Sequence, residues 1–188
     1  YPCIMNNGHI IVVSAPSGSV KTTLCRRLLK ERKNLAVSVS VTTRKPRGSE
    51  KNKQDYIFVT KKEFEKCRGA GELLEWARVF DFFYGTLKKP VEESIKKGAD
   101  VLLVIDVQGG LKVKKAMPEA VLIFIMPPSL DELRRRLEKR CTDHPKQIQL
   151  RLKVARREIA QAKKYDYVVV NDNLDKAYSR LNKILNSL

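Results

Sequence analysis

Two residues, Lys21 and Thr22, close the small-residue run Ala15-Pro16-Ser17-Gly18-Ser19-Val20, which follows the apolar stretch Ile10-Ile11-Val12-Val13 and precedes a segment of helical spacing. Strand, loop and helix in that order aim successive backbone N–H groups at one point, where the helix dipole also favours an anion. The chemistry on offer is polyphosphate binding. The amides of Ser17, Gly18, Ser19 and Val20 would surround the phosphates and Lys21 would reach the terminal ones. The Thr22 hydroxyl, with Thr23 beside it, would supply an oxygen ligand to nucleotide-borne magnesium. In the usual pattern G-x-x-x-x-G-K-[ST] both flanking positions are glycine; here they are Ala15 and Val20. A valine held at left-handed φ costs roughly 1–2 kcal/mol and crowds the phosphates, so an ordinary strand-to-helix connection stands as the alternative reading.

The elements that must position these groups follow from periodicity. Thr23 to Lys33 reads as an amphipathic helix with Leu24, Leu28 and Leu29 on one face, and Leu35 to Ser40 as a second strand. Strand, helix, strand makes a βαβ unit whose ligands sit at the carboxyl ends of the strands. The residues after that second strand, Ser40-Val41-Thr42-Thr43-Arg44-Lys45-Pro46-Arg47, therefore lie near the phosphate loop. A hydroxyl, two threonines and two arginines there form a fork of donors suited to a phosphate. Asp55 to Thr60 and Glu72 to Phe80 read as strands flanking a helix over Lys61 to Arg68.

Asp100 to Ile105 is a buried third strand. Asp106 emerges at its end, either to orient magnesium waters or the acceptor phosphate, or to cap the next helix. Val121 to Met126 is the fourth strand and Ser129-Leu130-Asp131-Glu132 a helix start with an acidic first turn. That helix carries Arg134, Arg135, Arg136 and Arg140, and a later one Arg151, Arg156 and Arg157. Tyr165 to Val170 is the fifth strand and Leu174 to Leu185 a closing amphipathic helix.

Composition bounds the possibilities. With 188 residues and 43% hydrophobic content, one α/β domain with a full core is expected. No apolar run approaches the roughly 20 residues of a membrane helix, and no targeting segment is found. A single domain is expected over 5–188, and whether Tyr1-Pro2-Cys3-Ile4, ahead of Met5, belongs to the natural protein stays open on sequence alone. Cys3, Cys25, Cys67 and Cys141 form no C-x-x-C pair, and His9 and His144 are the only histidines. Neither a disulfide framework nor a zinc site is indicated, and a reducing cytoplasm is expected. The net charge of +17 implies anionic partners. The cations lack interleaved aromatics, so nucleic acid is not expected among those partners.

Together with Tyr56, Leu74-Glu75-Trp76, Tyr84-Gly85-Thr86, Ile105-Asp106-Val107-Gln108-Gly109, Arg140-Cys141-Thr142-Asp143 and Val170-Asn171-Asp172, the loop and the arginine fork closely resemble the guanylate kinase family from about Ile10 to Leu185. The resemblance implies a P-loop nucleoside monophosphate kinase fold. Its core is a five-stranded parallel sheet over 9–40 and 91–188 with helices on both faces. A mixed GMP-binding subdomain is inserted at about 41–90 and a helical lid lies at about 139–150. It implies ATP and GMP as substrates, a role in purine nucleotide metabolism, Mg2+ bound with ATP, and a monomer or homodimer. By the same resemblance Ser40, Arg44, Arg47, Tyr56, Tyr84 and Thr86 hold the nucleoside monophosphate, and Glu75 accepts hydrogen bonds from guanine. Asp106 lies at the same site. Lys21 serves the transferring phosphates, Arg136 and Asn171 lie on the ATP side, and Arg140 and Arg151 are lid arginines over the transferring group.

The chain departs from the family at Ala15, Val20, Val104, Asp81, Phe82 and Cys141, which stand at positions resembling Gly, Gly, Asp, Gly, Asn and Gly. Two functions remain open on sequence alone. One is a working kinase, with activity lowered by Val20 and Ala15. The other is a catalytically impaired module that binds GMP or a phosphopeptide.

Overall fold

Five apolar or small residues in succession cannot present one face to water, so the strand Ile10–Ser14 must lie inside a sheet covered on both sides. In the computed structural model, which describes residues 8–16, 19, 21–139 and 145–188, all five are buried. In chain order the elements are β1 (Ile10–Ser14), α1 (Lys21–Glu31), β2 (Leu35–Ser38), β3 (Val41–Thr42), β4 (Ile57–Phe58), α2 (Lys61–Gly69), β5 (Leu73–Val79) and β6 (Phe82–Leu87). They continue as α3 (Lys88–Lys96), β7 (Asp100–Val104), α4 (Val107–Ala116), β8 (Val121–Met126), α5 (Leu130–Lys139), α6 (Pro145–Ile159), β9 (Tyr167–Val170) and α7 (Leu174–Asn186).

The main sheet has the order β2-β7-β1-β8-β9 and is parallel at every pairing. The register sets Val12 beside Leu103 on one side and Leu122 on the other. Alternation along β1 then divides the core. Ile11 and Val13 pack with Leu24 and Leu28 of α1 and with Ala177 and Leu181 of α7. Ile10 and Val12 pack with Val91 of α3 and with Val107 and Val113 of α4. Helices therefore cover both faces, as expected.

A second, mixed sheet of order β4-β3-β6-β5 is inserted between β2 and β7. β4 lies parallel to β3, while β6 runs antiparallel to both β3 and β5. Its own core gathers Val41, Phe64 and Leu73, with Phe64 and Phe83 stacked at 5.4 Å. Thr60 and Glu63 form a reciprocal capping box that starts α2. The helices α5 and α6 share a small core of Leu133, Leu137, Leu152 and Ala155.

Several boundaries differ from the sequence reading. α1 spans Lys21–Glu31 rather than Thr23 to Lys33, so Lys21 is its first residue. β2 ends at Ser38 instead of Ser40, β7 at Val104 instead of Ile105, and β9 begins at Tyr167 after a short turn of 3-10 helix at Ala162–Lys164. The strand expected over Asp55 to Thr60 is only Ile57–Phe58, and the one expected to end at Phe80 stops at Val79. Phe80 has φ 54°, the left-handed region, which turns the chain into β6. β6 itself was read as a motif and not as a strand.

Candidate active site

The strands β7 and β1 are neighbours whose outgoing connections run to opposite sides of the sheet, which opens a crevice at their carboxyl ends. Lys21 sits there at the start of α1 and donates from Nζ to the carbonyl oxygen of Ile105, just past β7, at 2.8 Å. Burial pushes its ammonium below the ordinary lysine range, opposed by the nearby Cys25, Asp106 and Glu158. Asp106 caps α4, its Oδ1 accepting from the amides of Gln108 and Gly109 at 2.7 and 3.1 Å. The capping role weighed for Asp106 is thus real, yet the residue also lines a cavity at this crevice.

One cavity of about 220 Å³ brings together Lys21, Ser40, Tyr56, Glu75, Tyr84 and Asp106. Glu75, only 5% exposed, lies at one end, where its Oε1 accepts from the Thr86 hydroxyl at 2.7 Å. Burial raises its carboxyl to about 7, with the Thr86 bond pulling the other way. A carboxylate at the wall of a half-apolar cavity can accept from two adjacent N–H donors, which guanine has on its base-pairing edge. Tyr56 and Tyr84 meet edge to face, 5.9 Å between ring centroids, and form another wall.

Arg44 is buried beside this cavity. Its Nε donates to the Tyr84 hydroxyl at 3.2 Å, Nη1 to the Lys45 carbonyl at 2.7 Å, and Nη2 to both carboxylate oxygens of Glu50 at 2.9 Å. The same Glu50 accepts from the Arg47 amide at 2.8 Å. The guanidinium group of Arg44 is thus held by internal acceptors. Arg47 and Arg151 line a second cavity of about 600 Å³ together with Tyr84 and the β5–β6 turn. Tyr84 thus joins the two spaces.

On the other side of the phosphate loop Asn171 donates from Nδ2 to the Ser19 carbonyl at 3.1 Å, and Arg136 from Nη2 to the Asn171 carbonyl at 3.2 Å. The Ser19 hydroxyl and Arg136 Nη1 are buried with no hydrogen-bond partner among the described residues. Two orphaned polar atoms in one cluster are what a polar ligand would satisfy. Thr22 lines a third cavity with Ser40 and Tyr56, whereas Thr23 is exposed and joins none of these groups. Ser17, Gly18, Val20 and Arg140 lie outside the described residues.

Three contributors escaped the sequence reading. Glu50, Glu158 and Val79 were single residues without a motif, and only tertiary structure brings them to Arg44 or into the Lys21 cavity. Glu158 had one usable signal, since it follows Arg151 by seven residues and so shares a face of α6.

For magnesium, the described residues contain no cluster of three or more His, Cys, Asp or Glu side chains that could form a protein cage. The Thr22 hydroxyl makes no hydrogen bond among them and stands next to Lys21. A single hard oxygen fits an ion that keeps waters and phosphate ligands.

A family model described as guanylate kinase matches residues 7–188. The guanylate kinase of Wolbachia sp. subsp. Brugia malayi (strain TRS) is 49% identical over 183 residues, covering 97% of this chain and 94% of that protein. That of Caldanaerobacter subterraneus subsp. tengcongensis is 44% identical over 182 residues, covering 97% and 88%. The crystal structure of guanylate kinase from Anaplasma phagocytophilum superposes with a TM-score of 0.82 at 41% identity, covering 97% of this chain and 86% of that one.

Proposed function

The chain belongs to the guanylate kinase family, and its function is the ATP-dependent phosphorylation of GMP, giving ADP and GDP; we propose that its cleft divides this work between a base-reading end and a phosphate end. Glu75 accepts from the guanine N1–H and 2-amino groups while the Thr86 hydroxyl donates to a further lone pair of Oε1. Ser40, Arg44, Arg47, Tyr56 and Tyr84 take the GMP phosphate, with Asp106 at the inner wall. Ser17, Gly18, Ser19, Val20, Lys21 and Thr22 hold the ATP phosphates, and Arg136 and Asn171 the nucleoside side. Arg140 and Arg151 would neutralise the group in transfer.

An oxygen of the GMP phosphate attacks the γ-phosphorus of ATP, the bond to the bridging oxygen breaks, and ADP leaves with that electron pair. No protein nucleophile is required. Lys21 leaves the Ile105 carbonyl for the transferring oxygens, and the arginines neutralise charge that grows there. The Thr22 hydroxyl would hold Mg2+ carried by ATP, which would supply further neutralisation of the phosphates. The reading rests above all on a buried guanine acceptor, Glu75, sharing one cavity with Lys21.

No helix among the described residues is long and apolar enough to cross a membrane. The free Cys25 and Cys67 support a reducing compartment, the cytoplasm, where a monomer or homodimer would work. Titrating the protein with ATP·Mg and with GMP while following thermal stability tests the reading. Both ligands should raise the melting temperature and together yield ADP. Stabilisation by GMP alone, with no ADP formed, would instead identify a binding module.

A further inference from the structure

α4 begins where β7 ends, and its first turn, Val107-Gln108-Gly109-Gly110, packs against β5 of the inserted sheet. At Gly109 the approach is extreme. A β-carbon there would lie 2.6 Å from Glu75 Oε2, 3.1 Å from its Cδ and 3.3 Å from Ile105 Cδ1. We propose that Gly109 is a specificity-determining position: its missing side chain lets α4 lie directly against the Glu75 carboxylate and sets where that group meets the base. This rests on Glu75 reading guanine.

Neither partner has room to retreat. Glu75 is tied on its other oxygen to the Thr86 hydroxyl. α4 is tied one turn further on, where Lys112 donates to the Trp76 carbonyl and lies 4.6 Å from the centre of the Trp76 ring. Its start is tied as well, because Asp106 accepts from the Gly109 amide. A methyl group at position 109 must therefore push the carboxylate. Recognition of guanine uses both carboxylate oxygens at once, so a displacement that a lone hydrogen bond would tolerate misaligns the pair. The first turn of α4 thus joins the phosphate end, through Asp106, to the base end, through Glu75.

Gly109→Ala would ordinarily favour a helix, so a loss of function there reports the contact. The variant should lower kcat/KM for GMP at least tenfold and shrink the preference for GMP over IMP, which lacks the 2-amino group. KM for ATP should change less than twofold. Glu75→Asp, which withdraws the carboxylate by one methylene, should impair the parent enzyme but restore part of the GMP activity, or the folding, of Gly109→Ala. Gly110→Ala is the comparator. Its β-carbon would meet the Tyr165 hydroxyl at 2.6 Å and Ser14 Oγ at 3.0 Å, away from Glu75, so it should lower the melting temperature and leave the GMP-to-IMP ratio in place.

An unchanged ratio in a folded Gly109→Ala, an equal change in Gly110→Ala, or a double variant no better than the single one overturns the proposal. Glu75→Ala separates the two levels. Should it leave GMP kinetics unaltered, base reading by Glu75 fails altogether. Should it impair them while Gly109→Ala does not, only the role of Gly109 is lost.

Discussion

At the guanine end of the cleft Glu75 is buried, bonded to Thr86 and packed against Gly109, with acceptor capacity left for a ligand. At the phosphate end Lys21 donates to the Ile105 carbonyl, and Arg44 gives its N–H groups to Glu50, Lys45 and Tyr84. On the proposed reading one end receives the base as it stands, and the other holds its cations on internal oxygens that phosphate would replace. Exchange of partners is cheap in net hydrogen bonds and keeps buried charges satisfied in the empty protein. On that reading selection belongs to the end tied by fixed contacts and rate to the end that would exchange partners.

Disabling the exchanging end gives the largest effect. Lys21→Met should lower kcat by about 10²–10³-fold, the scale of one lost transition-state donor, while KM for GMP moves only a few-fold in steady-state assays. A dominant rise in KM would place Lys21 on substrate binding and blur the distinction between the two ends.

A change of pH acts on the rigid end. Guanine requires the ionised carboxylate, and burial holds that of Glu75 near 7 in the empty protein. KM for GMP should therefore rise about fivefold between pH 7 and pH 6 and level off above pH 8. Stability runs the other way. The folded pKa lies above the ordinary 4.5, so the neutral form is favoured on folding and this contribution fades as pH climbs from about 4.5 through 7. Glu75→Gln should consequently raise the melting temperature more at pH 8 than at pH 5. A pH-independent KM would mean that the carboxylate is not the base reader.

The smallest effect concerns Glu50, the carboxylate that occupies Arg44. Glu50→Gln weakens a competitor of the GMP phosphate and should tighten GMP binding by a few-fold, about 1 kcal/mol at most, by calorimetry. Weaker binding would show that Glu50 orients Arg44 instead of competing for it.

Most of the parallel sheet was legible because its strands are apolar on both faces. Val121 to Met126 was read with the bounds the structure shows. Glu75, Tyr56 and Tyr84 were placed by motif and do meet in one cavity. β6 was hidden because Tyr84-Gly85-Thr86 interrupts an aromatic run with glycine, and because one of its two pairing partners, β3, is distant in sequence, while β5 joins it through the tight turn at Phe80-Asp81. The commitment of Arg44 was invisible for a similar reason. A carboxylate six residues away on an irregular stretch carries no period, and only the fold sets it against the guanidinium group. The helix start at Lys21 was misjudged by two residues, yet that shift is what puts its Nζ within reach of the Ile105 carbonyl.

The base-reading role of Glu75 is tested most directly by the preference for GMP over AMP, measured as the ratio of kcat/KM values for the protein and for Glu75→Gln. Glutamine keeps the shape and the Thr86 bond but removes the carboxylate that accepts from guanine and repels the N1 lone pair of adenine. A fall in that ratio of about 100-fold or more, with KM for ATP unchanged, is the predicted result. An unaltered preference would contradict the assignment of guanine recognition to Glu75, and with it the division of the cleft into two ends.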